Sequence, residues 1–360
     1  MKHLKKLIFL SASIILIAIS CSQPPINPEF SGNWVQSFQI GGWPRSAASA
    51  FVIGDTGYIA LGFNQSNDSS LSDLWQFDPV KNNWTQKAFF PGGPRHSAVG
   101  FAVGKMGYVA TGIDDYAKYY QDNWQYNPAT NVWTKMASLP DNGGGAGSGA
   151  RFDAVAFAIG NYGYVGTGNN GSWLKDFWKF DPSANTWTQI TNLPGNKRSG
   201  AVAFTSYNDT TAYIVTGQNN GNELYDFWSY NPTSGWLRLR DISNTSSDVY
   251  DDDYTDIVRD HAVGFVMQDG GVWKAFIATG QNGSLTTKTW EYDFATDLWI
   301  RKTPYERSPR ASAVSWSFVN LANPGQGGVG RAFVGTGKSS LLSLDDYDEF
   351  FPLQAYNPND

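Results

Sequence analysis

One segment of the chain recurs six times, and this repetition limits the fold more than any other feature of the sequence. Each copy begins with an arginine, continues through two apolar runs around a short turn, and ends in Thr-Gly, or in Leu-Gly in the first copy. Two short apolar runs around a turn are typical of a β-hairpin. The copies begin at Arg45, Arg95, Arg151, Arg198, Arg259 and Arg310.

A second motif follows the first five copies. It contains Trp-x-Tyr or Trp-x-Phe, then a turn that is usually Asp-Pro or Asn-Pro, then a further Trp. The copies are DLWQFDPVKNNW (73–84), DNWQYNPATNVW (122–133), DFWKFDPSANTW (176–187), DFWSYNPTSGW (226–236) and the weaker KTWEYDFATDLW (288–299). Aromatic residues favour strands, and Asp, Asn and Pro favour turns. Each unit is therefore predicted to contain four strands.

These units resemble the kelch repeat, which has a small-residue pair after its second strand, an aromatic residue before a turn and a Trp several residues later. The resemblance covers residues 33–360. It implies an all-β fold, a six-bladed kelch-type β-propeller, whose radial blades protect their sheet edges. The sixth unit ends at Tyr356-Asn357-Pro358 without its Trp strand. We therefore expect the N-terminal strand, at about residues 33–40, to close the last blade with Trp34.

Most of the tryptophans follow the repeat. Eleven of the 15 are predicted to pack blade against blade, because large aromatic side chains bury extensive apolar area. They are Trp34, Trp75, Trp84, Trp124, Trp133, Trp178, Trp187, Trp228, Trp236, Trp290 and Trp299. Phe350 is predicted to replace the missing strand-three Trp of the sixth blade.

The N-terminus is typical of an export signal. Three lysines precede the apolar run Leu7 to Ile19, which is too short to span a bilayer as a stop-transfer helix. Ile17-Ala18-Ile19-Ser20-Cys21 resembles the bacterial lipobox, which implies a signal peptide at 1–20, lipidation of Cys21 and a tether at 21–32. With Ser22 after the cysteine, the resemblance implies an outer-membrane lipoprotein, on its periplasmic side or at the cell surface. The alternative is ordinary signal cleavage beside an incidental cysteine.

Charge excludes one class of partner. The net charge is −6, only 16% of residues are charged, and no Lys/Arg-rich run is present. Phosphate binding needs a concentrated basic surface, so nucleic acid is not expected to bind.

The six repeat arginines have two interpretations. They begin the loops that enter strand one, on the face that kelch proteins usually use for binding, where guanidinium groups could hold a carboxylate. Alternatively, each arginine pairs with an acid at the start of strand three in its own blade. Those acids are Asp73, Asp122, Asp176, Asp226 and Asp348. Blade five has Lys288 and Thr289 there, so Arg259 is predicted to lack an acidic partner.

The loops after strand two contribute amides and aromatic rings to the same face. The candidates are Tyr116, Asn169, Trp173, Gln218 and Gln281. Amides and an aromatic platform suit a carbohydrate, although Asn and Gln also form turns. We therefore expect a cell-envelope module that binds a glycan or another envelope protein.

Metal and catalytic chemistry have few candidates. Asp251, Asp253 and Asp256 lie in an acidic connection and are candidate calcium ligands, or simply solvated acids. A copper-radical oxidase resembling galactose oxidase is excluded, because its Tyr–Cys crosslink needs a cysteine and Cys21 is the only one. No cofactor is therefore predicted. Resemblance to the six-bladed sialic acid mutarotases leaves sugar isomerisation as the enzymatic alternative, without catalytic residues that can be aligned.

Overall fold

The computed structural model describes residues 30–141, 148–244, 248–324 and 328–359. The predicted signal peptide, Cys21 and most of the predicted tether lie outside these residues. Within the described chain, six four-stranded antiparallel sheets surround a central channel. The all-β, six-bladed propeller is therefore confirmed. The described part of the chain contains no helix with the length and apolarity that a membrane crossing requires.

The strands follow the repeat in chain order. The chain enters through β1 (Asn33–Gln36). Blade one contains β2 (Ser49–Ile53), β3 (Thr56–Ala60), the small hairpin β4 (Phe63–Asn64) and β5 (Ser69–Ser70), then β6 (Leu74–Asp78) and β7 (Asn83–Gln86). Blade two contains β8 (Val99–Val103), β9 (Met106–Ala110), β10 (Asn123–Asn127) and β11 (Val132–Met136). Blade three contains β12 (Val155–Ile159), β13 (Tyr162–Gly166), β14 (Phe177–Asp181) and β15 (Thr186–Ile190).

The second half repeats this plan with longer hairpins. Blade four contains β16 (Val202–Thr205), β17 (Ala212–Val215), the small hairpin β18 (Gln218–Asn219) and β19 (Asn222–Glu223), then β20 (Trp228–Asn231) and β21 (Gly235–Arg238). A 3-10 helix (Tyr254–Ile257) leads into blade five. Blade five contains β22 (Val263–Asp269), β23 (Val272–Ala278), the small hairpin β24 (Gln281–Asn282) and β25 (Ser284–Leu285), then β26 (Thr289–Asp293) and β27 (Leu298–Lys302). Blade six contains β28 (Val314–Ala322), β29 (Val329–Gly335) and β30 (Tyr347–Phe351).

Strand β1 closes the ring as the outermost strand of blade six. It pairs antiparallel with β30, with Asn33 opposite Phe351 and Gln36 opposite Asp348. Trp34 is fully buried, and its ring centroid lies 4.6 Å from that of Phe350 and 4.8 Å from that of Tyr305. The predicted closure is confirmed, and the seam holds through aromatic packing as well as strand pairing.

Aromatic rings fill the space between neighbouring blades. In each of the first five blades an inner-strand Phe stacks on the aromatic residue opposite it in strand two, as Phe101 does on Tyr108 at 5.1 Å and 9°. A Cβ added to Gly163 would lie 2.2 Å from the Phe101 ring, so the next blade must carry glycine there. The strand-four Trp133 and Trp187 donate their indole N–H to Ala88 and Ala137 of the preceding blade. These contacts fix the spacing of the blades.

The register of β30 corrects one prediction. Phe350 lies opposite Ala332, as Phe77 lies opposite Gly57 in blade one, so Phe350 occupies the second aromatic position of strand three. Asp348, opposite Val334, occupies the position that Trp75 holds in blade one. Phe350 therefore does not replace the missing Trp. The alignment was wrong by two residues, because the turn of this unit is Phe351-Pro352 and lacks the usual Asp or Asn before the proline.

A closed ring of six backbone hydrogen bonds surrounds the upper end of the channel. The upper face carries the loops that enter strand one and follow strand two, and the lower face carries the strand-one/strand-two and strand-three/strand-four turns. The third residue of every repeat donates its N–H to the third residue of the preceding blade, at 2.8–3.0 Å. These residues are Ala47, Ser97, Asp153, Gly200, His261 and Ser312. All six have positive φ, between 48° and 62°. The closed ring offsets the cost of this left-handed backbone.

Candidate functional site at the upper mouth of the channel

The repeat arginines lie beneath the upper face and not on it. All six are completely buried. Four pair with the predicted acid of their own blade, as Arg151 does with Asp176 at 2.7–2.9 Å through two parallel hydrogen bonds. The other three are Arg45–Asp73, Arg95–Asp122 and Arg198–Asp226. Buried charges are stable in pairs that satisfy their hydrogen bonds. The geometry therefore favours the structural interpretation of these arginines over contact with a ligand.

Blade six uses a different acid from the predicted one. Arg310 pairs with Asp346 at 2.7 Å and 2.8 Å, whereas Asp348 accepts from Arg307. Asp346 occupies the position that Asp73 holds in blade one. Its backbone carbonyl accepts the N–H of Thr336, just as the backbone carbonyl of Asp73 accepts the N–H of Leu61. The prediction of Asp348 as partner of Arg310 was wrong, for the same shift of alignment that misplaced Phe350.

Arg259 is buried without a carboxylate on its guanidinium. Its nitrogens donate to the backbone carbonyls of Ile257, Asp256, Thr279 and Lys288 at 2.6–3.1 Å. Desolvation lowers the pKa of Arg259 to about 10, although the charge of Asp256 opposes this shift. The prediction that blade five breaks the pairing is confirmed at this position.

Three of the predicted amides line the inner rim of the upper face. Asn169, Gln218 and Gln281 each pair through the backbone with the residue that follows a repeat arginine. The side chains of Asn169 and Gln218 also accept backbone N–H groups within their own loops, at 2.8 Å and 2.9 Å. The side chains of Asn169 and Gln218 therefore stabilise the turns of their own loops. The side-chain amide of Gln281 makes no hydrogen bond within the described residues.

The predicted aromatic residues lie farther out. Tyr116 is 92% exposed at the tip of its loop. Trp173 is half-buried beside Asn169, and its indole N–H has no partner within the described chain. The structure therefore brings the amides to the rim but leaves Tyr116 and Trp173 on the surrounding loops.

An ion-pair network that the sequence prediction missed occupies the channel mouth. His261 Nε2 lies 3.2 Å from Asp153 Oδ2, and His261 Nδ1 lies 2.8 Å from Asp260 Oδ1. The imidazole passes over Gly200, where an added Cβ would lie 2.7 Å from the ring. His261 thus spans blade four to reach blade three, and only glycine fits beneath it.

The two carboxylates decide the protonation of His261. Desolvation lowers the pKa of this imidazole, but the attraction of Asp153 and Asp260 outweighs it and raises the pKa to about 10. Desolvation likewise opposes ionisation of Asp153, and the charge of His261 overcomes it and lowers the pKa of that carboxyl. At neutral pH the mouth therefore holds an imidazolium between two carboxylates.

Glu223 adds a protonated carboxyl to this network. It ends the small strand β19 in blade four, beside Asp260. Desolvation and repulsion from Asp260 raise the pKa of Glu223 to about 8. A neutral acid next to ionised carboxylates is an arrangement capable of both donating and accepting a proton. We call Asp153, Glu223, Asp260 and His261 the mouth cluster.

A signal for the mouth cluster exists in the repeat. The third repeat position holds Ala, Ser, Gly or Ser in four blades, but Asp153 in blade three and His261 in blade five. Because this position forms the backbone ring, a large polar side chain there must project over the channel. In the sequence His261 is only a histidine two residues after a repeat arginine, and its pairing with Asp153 requires the ring geometry.

The acidic connection before blade five does not bring its carboxylates together. Asp251 accepts from the Tyr254 hydroxyl, Asp253 caps the 3-10 helix by accepting from Thr255, and Asp256 pairs with Lys288. Each candidate calcium ligand thus has a different partner. No group of three or more His, Cys, Asp or Glu side chains arranged to hold a metal ion occurs in the described parts of the chain.

Comparison with known proteins agrees with this architecture. The sequence pattern of the Kelch motif matches residues 151–194, which contain blade three. A solved structure titled "Structure of YjhT" is similar over 86% of this chain and 96% of that chain, with a TM-score of 0.63 and 19% sequence identity. At this identity the likeness concerns the fold alone. None of the curated protein sequences matches the chain.

Proposed function

We propose that this chain, a six-bladed β-propeller of the kelch type, is a cell-envelope binding module that holds a glycan at the mouth cluster. The mouth cluster is the observation that carries the proposal. It places three carboxyl groups and an imidazole at one end of the channel axis, where a ligand on the upper face would meet them. Carboxylates accept hydrogen bonds from hydroxyl groups, and a protonated Glu223 donates one, so a polyhydroxylated ligand matches this set.

The surrounding rim supports the same ligand class. Gln281 offers an amide that no described residue engages, and half-buried His96 lies beside the mouth, with its Nδ1 3.3 Å from Ser97 Oγ. A site with a few convergent polar groups on a rigid scaffold is typical of small-ligand recognition. The ring of backbone hydrogen bonds supplies the rigidity, because it fixes the Cα positions of Asp153 and His261.

Glycan-array screening followed by calorimetry tests this proposal. We expect at least one glycan to bind the purified protein, and Gln281→Ala and Asp153→Asn to weaken that binding about tenfold or more. Asp55→Asn is the matched control, because Asp55 is exposed in a turn of the lower face. Absence of glycan binding, or equal binding by the upper-face variants, would overturn the proposal. Capture of an envelope protein without glycan binding would favour the protein ligand instead.

Sugar mutarotation at the same cluster is the second candidate. It is favoured by Glu223, whose raised pKa keeps its carboxyl protonated near neutral pH beside Asp260. Ring opening of a sugar hemiacetal needs one group that donates a proton and one that accepts it. Proton NMR of anomer exchange, with sialic acid among the sugars tested, would detect this activity. Exchange at the buffer rate, and unchanged by Glu223→Gln, would exclude it.

We further propose that Cys21 carries a lipid that anchors the propeller in the outer membrane. The proposal rests on the lipobox-like sequence before Cys21. Cys21→Ser should release the protein from the membrane fraction or block its processing. Membrane retention of the Cys21→Ser variant at the wild-type level would contradict lipidation.

A further inference from the structure

The channel widens at its lower end into a second cavity of about 500 Å³. This cavity lies opposite the mouth cluster, and the proposed function does not use it. In blades one to three its rim is low, because the inner hairpins turn tightly at Gly54, Gly104 and Gly160. In blades four to six the inner hairpins are longer, and β28 extends over nine residues where β8 has five. The cavity is therefore open on one side and walled on the other.

An ordered aromatic pair stands in the wall. Tyr207, at the tip of the blade-four hairpin, lines the cavity and is 49% exposed. Its ring stacks on that of Trp273 from blade five, with centroids 4.9 Å apart and planes 5° from parallel. Stacking fixes the orientation of the Tyr207 ring, so the aromatic surface is already ordered before a ligand arrives.

Unused polar side chains surround the same opening. Asn161, Asp209 and Asn320 line the cavity, and none of their side chains makes a hydrogen bond or ion pair within the described residues. Two amides offer both donors and acceptors, and the carboxylate offers acceptors. These three side chains come from blades three, four and six, so they approach the cavity from different directions.

The inner strands of the blades form the wall of the cavity. The phenylalanines of these strands border it, but their rings are buried between neighbouring blades: Phe51, Phe101, Phe157, Phe204 and Phe265. Next to them the inner strands carry mostly small residues, including Gly100, Ala156 and Gly264. The inner strands are edge strands towards the channel, so their peptide groups are available there for hydrogen bonding. A cavity with exposed peptide groups and a few convergent polar side chains suits a ligand that carries several hydroxyl groups.

We propose that the lower cavity is a second carbohydrate-binding site, which accepts the ring of a neutral sugar. The C–H face of a sugar packs on an aromatic ring such as Tyr207, while its hydroxyl groups meet Asn161, Asp209 and Asn320. Asp209 is the one charged side chain among the described residues that line the cavity. Its negative charge disfavours sugars that carry a carboxylate. The site is thus selective for neutral over acidic sugars.

Saturation-transfer NMR and calorimetry with a defined sugar panel test this assignment. The neutral probes are glucose, galactose, mannose and N-acetylglucosamine, and the acidic probes are glucuronic acid, galacturonic acid and N-acetylneuraminic acid. At least one neutral sugar should bind more tightly than its acidic counterparts. Tyr207→Ala should weaken that binding about tenfold, and Tyr207→Phe less, because the stacking surface remains.

Matched variants separate the two sites. Tyr162→Ala removes another exposed tyrosine of the lower face that does not line the cavity, and it should leave binding unchanged. Binding that Gln281→Ala and Asp153→Asn weaken belongs to the upper mouth, whereas binding that only Tyr207→Ala weakens belongs to the lower cavity. Asp209→Asn should reduce the preference for neutral over acidic sugars. The assignment is overturned if no neutral sugar binds, if Tyr207→Ala binds as the wild type does, or if the upper-mouth variants abolish binding.

Discussion

His261 Nε2 lies 3.2 Å from Asp153 Oδ2, although 108 residues separate them in the chain. The two residues belong to blades five and three, and His261 also contacts Asp260 of its own blade at 2.8 Å. The imidazole of His261 therefore links blade five to blade three across blade four. The channel mouth of this propeller is held by charge as well as by its backbone ring.

Replacing His261 tests the strength of this link. His261→Gln should lower the free energy of unfolding at pH 6.5 by about 1–3 kcal/mol, because two carboxylates lose a charged partner. The folded pKa of His261, about 10, lies above the unfolded value near 6.5. The stabilisation is therefore complete below pH 6.5 and is lost as the pH rises from there to about 10.

Urea denaturation at pH 6.5 and pH 10.5 measures the change. The difference between wild type and His261→Gln should shrink at the higher pH. His96→Gln is the control, since the nearest described partner of that ring is the hydroxyl of Ser97. A destabilisation that stays constant with pH would show that His261 acts through packing alone.

Glu223 should make the fold less stable as the pH rises. Its folded pKa is about 8 and its ordinary value 4.5, so the unfolded chain loses the proton first. Protonation of the folded form favours folding below pH 4.5, and this advantage disappears between pH 4.5 and about 8. Glu223→Gln imitates the protonated carboxyl at every pH.

The variant should therefore be close to the wild type in stability at pH 5 and clearly more stable than the wild type at pH 8. Glu306→Gln is a control outside the mouth cluster. Thermal unfolding across pH 5 to 8 would show the two curves separating. Parallel curves would contradict the raised pKa of Glu223.

The repeat made most of the fold predictable. Its six arginines, its Trp-x-aromatic strands and the Asn33–Phe38 segment that precedes the first unit together specified the blade number and the closure. The one failure lay in blade six, where Asp345, Asp346 and Asp348 offered three acids for one arginine. The turn of this unit is Phe351-Pro352, without the usual Asp or Asn, so the motif did not identify Asp346 and the hydrogen-bond register of β30 was needed.

The site was less predictable for a physical reason. Arg45 and its equivalents are polar residues at a constant position, and a sequence does not state whether such a group is buried with a partner or exposed. The mouth cluster depends on a contact between blades three and five, which the left-handed backbone at Asp153 and His261 creates. Loop composition identified the upper face, but the contact between blades requires the closed ring.

The Arg151–Asp176 pair should show strong coupling. Arg151→Met alone leaves Asp176 buried without its cation, and it should destabilise the fold by about 3–5 kcal/mol. Asp176→Leu alone leaves a buried guanidinium and should cost a similar amount. The double variant should cost less than the sum of the two, because neither charge is left alone. Chemical denaturation of all four proteins gives the coupling, and strict additivity would contradict it.

Trp34 should carry much of the stability of the seam. Trp34→Ala removes a fully buried ring that packs on Phe350 and Tyr305, and it should cost about 3–5 kcal/mol. Trp43 is 59% exposed, so Trp43→Ala should change stability by less than about 0.5 kcal/mol. Urea unfolding of both variants makes the comparison. Similar effects from the two substitutions would mean that the β1–β30 pairing alone closes the ring.

Lys288→Asp should give blade five the buried carboxylate that blades one to four have beside their repeat arginine. In blades one to four an Asp accepts from the repeat arginine and from a strand-three indole, as Asp176 does from Arg151 and Trp178. In blade five that position is Lys288, the guanidinium of Arg259 meets only carbonyl groups, and the Trp290 indole N–H has no partner within the described chain. A carboxylate at 288 would satisfy both donors.

We expect Lys288→Asp to raise the free energy of unfolding by about 1–2 kcal/mol, the net value of a charge-assisted hydrogen bond in a buried site. The substitution also removes the partly exposed Lys288–Asp256 ion pair, which contributes little. Lys288→Ala separates the two effects, since it removes the ion pair without adding a carboxylate. Calorimetric unfolding should rank Lys288→Asp above the wild type and Lys288→Ala at or slightly below it. If Lys288→Asp is no more stable than Lys288→Ala, the carbonyl groups around Arg259 already satisfy it as fully as a carboxylate would.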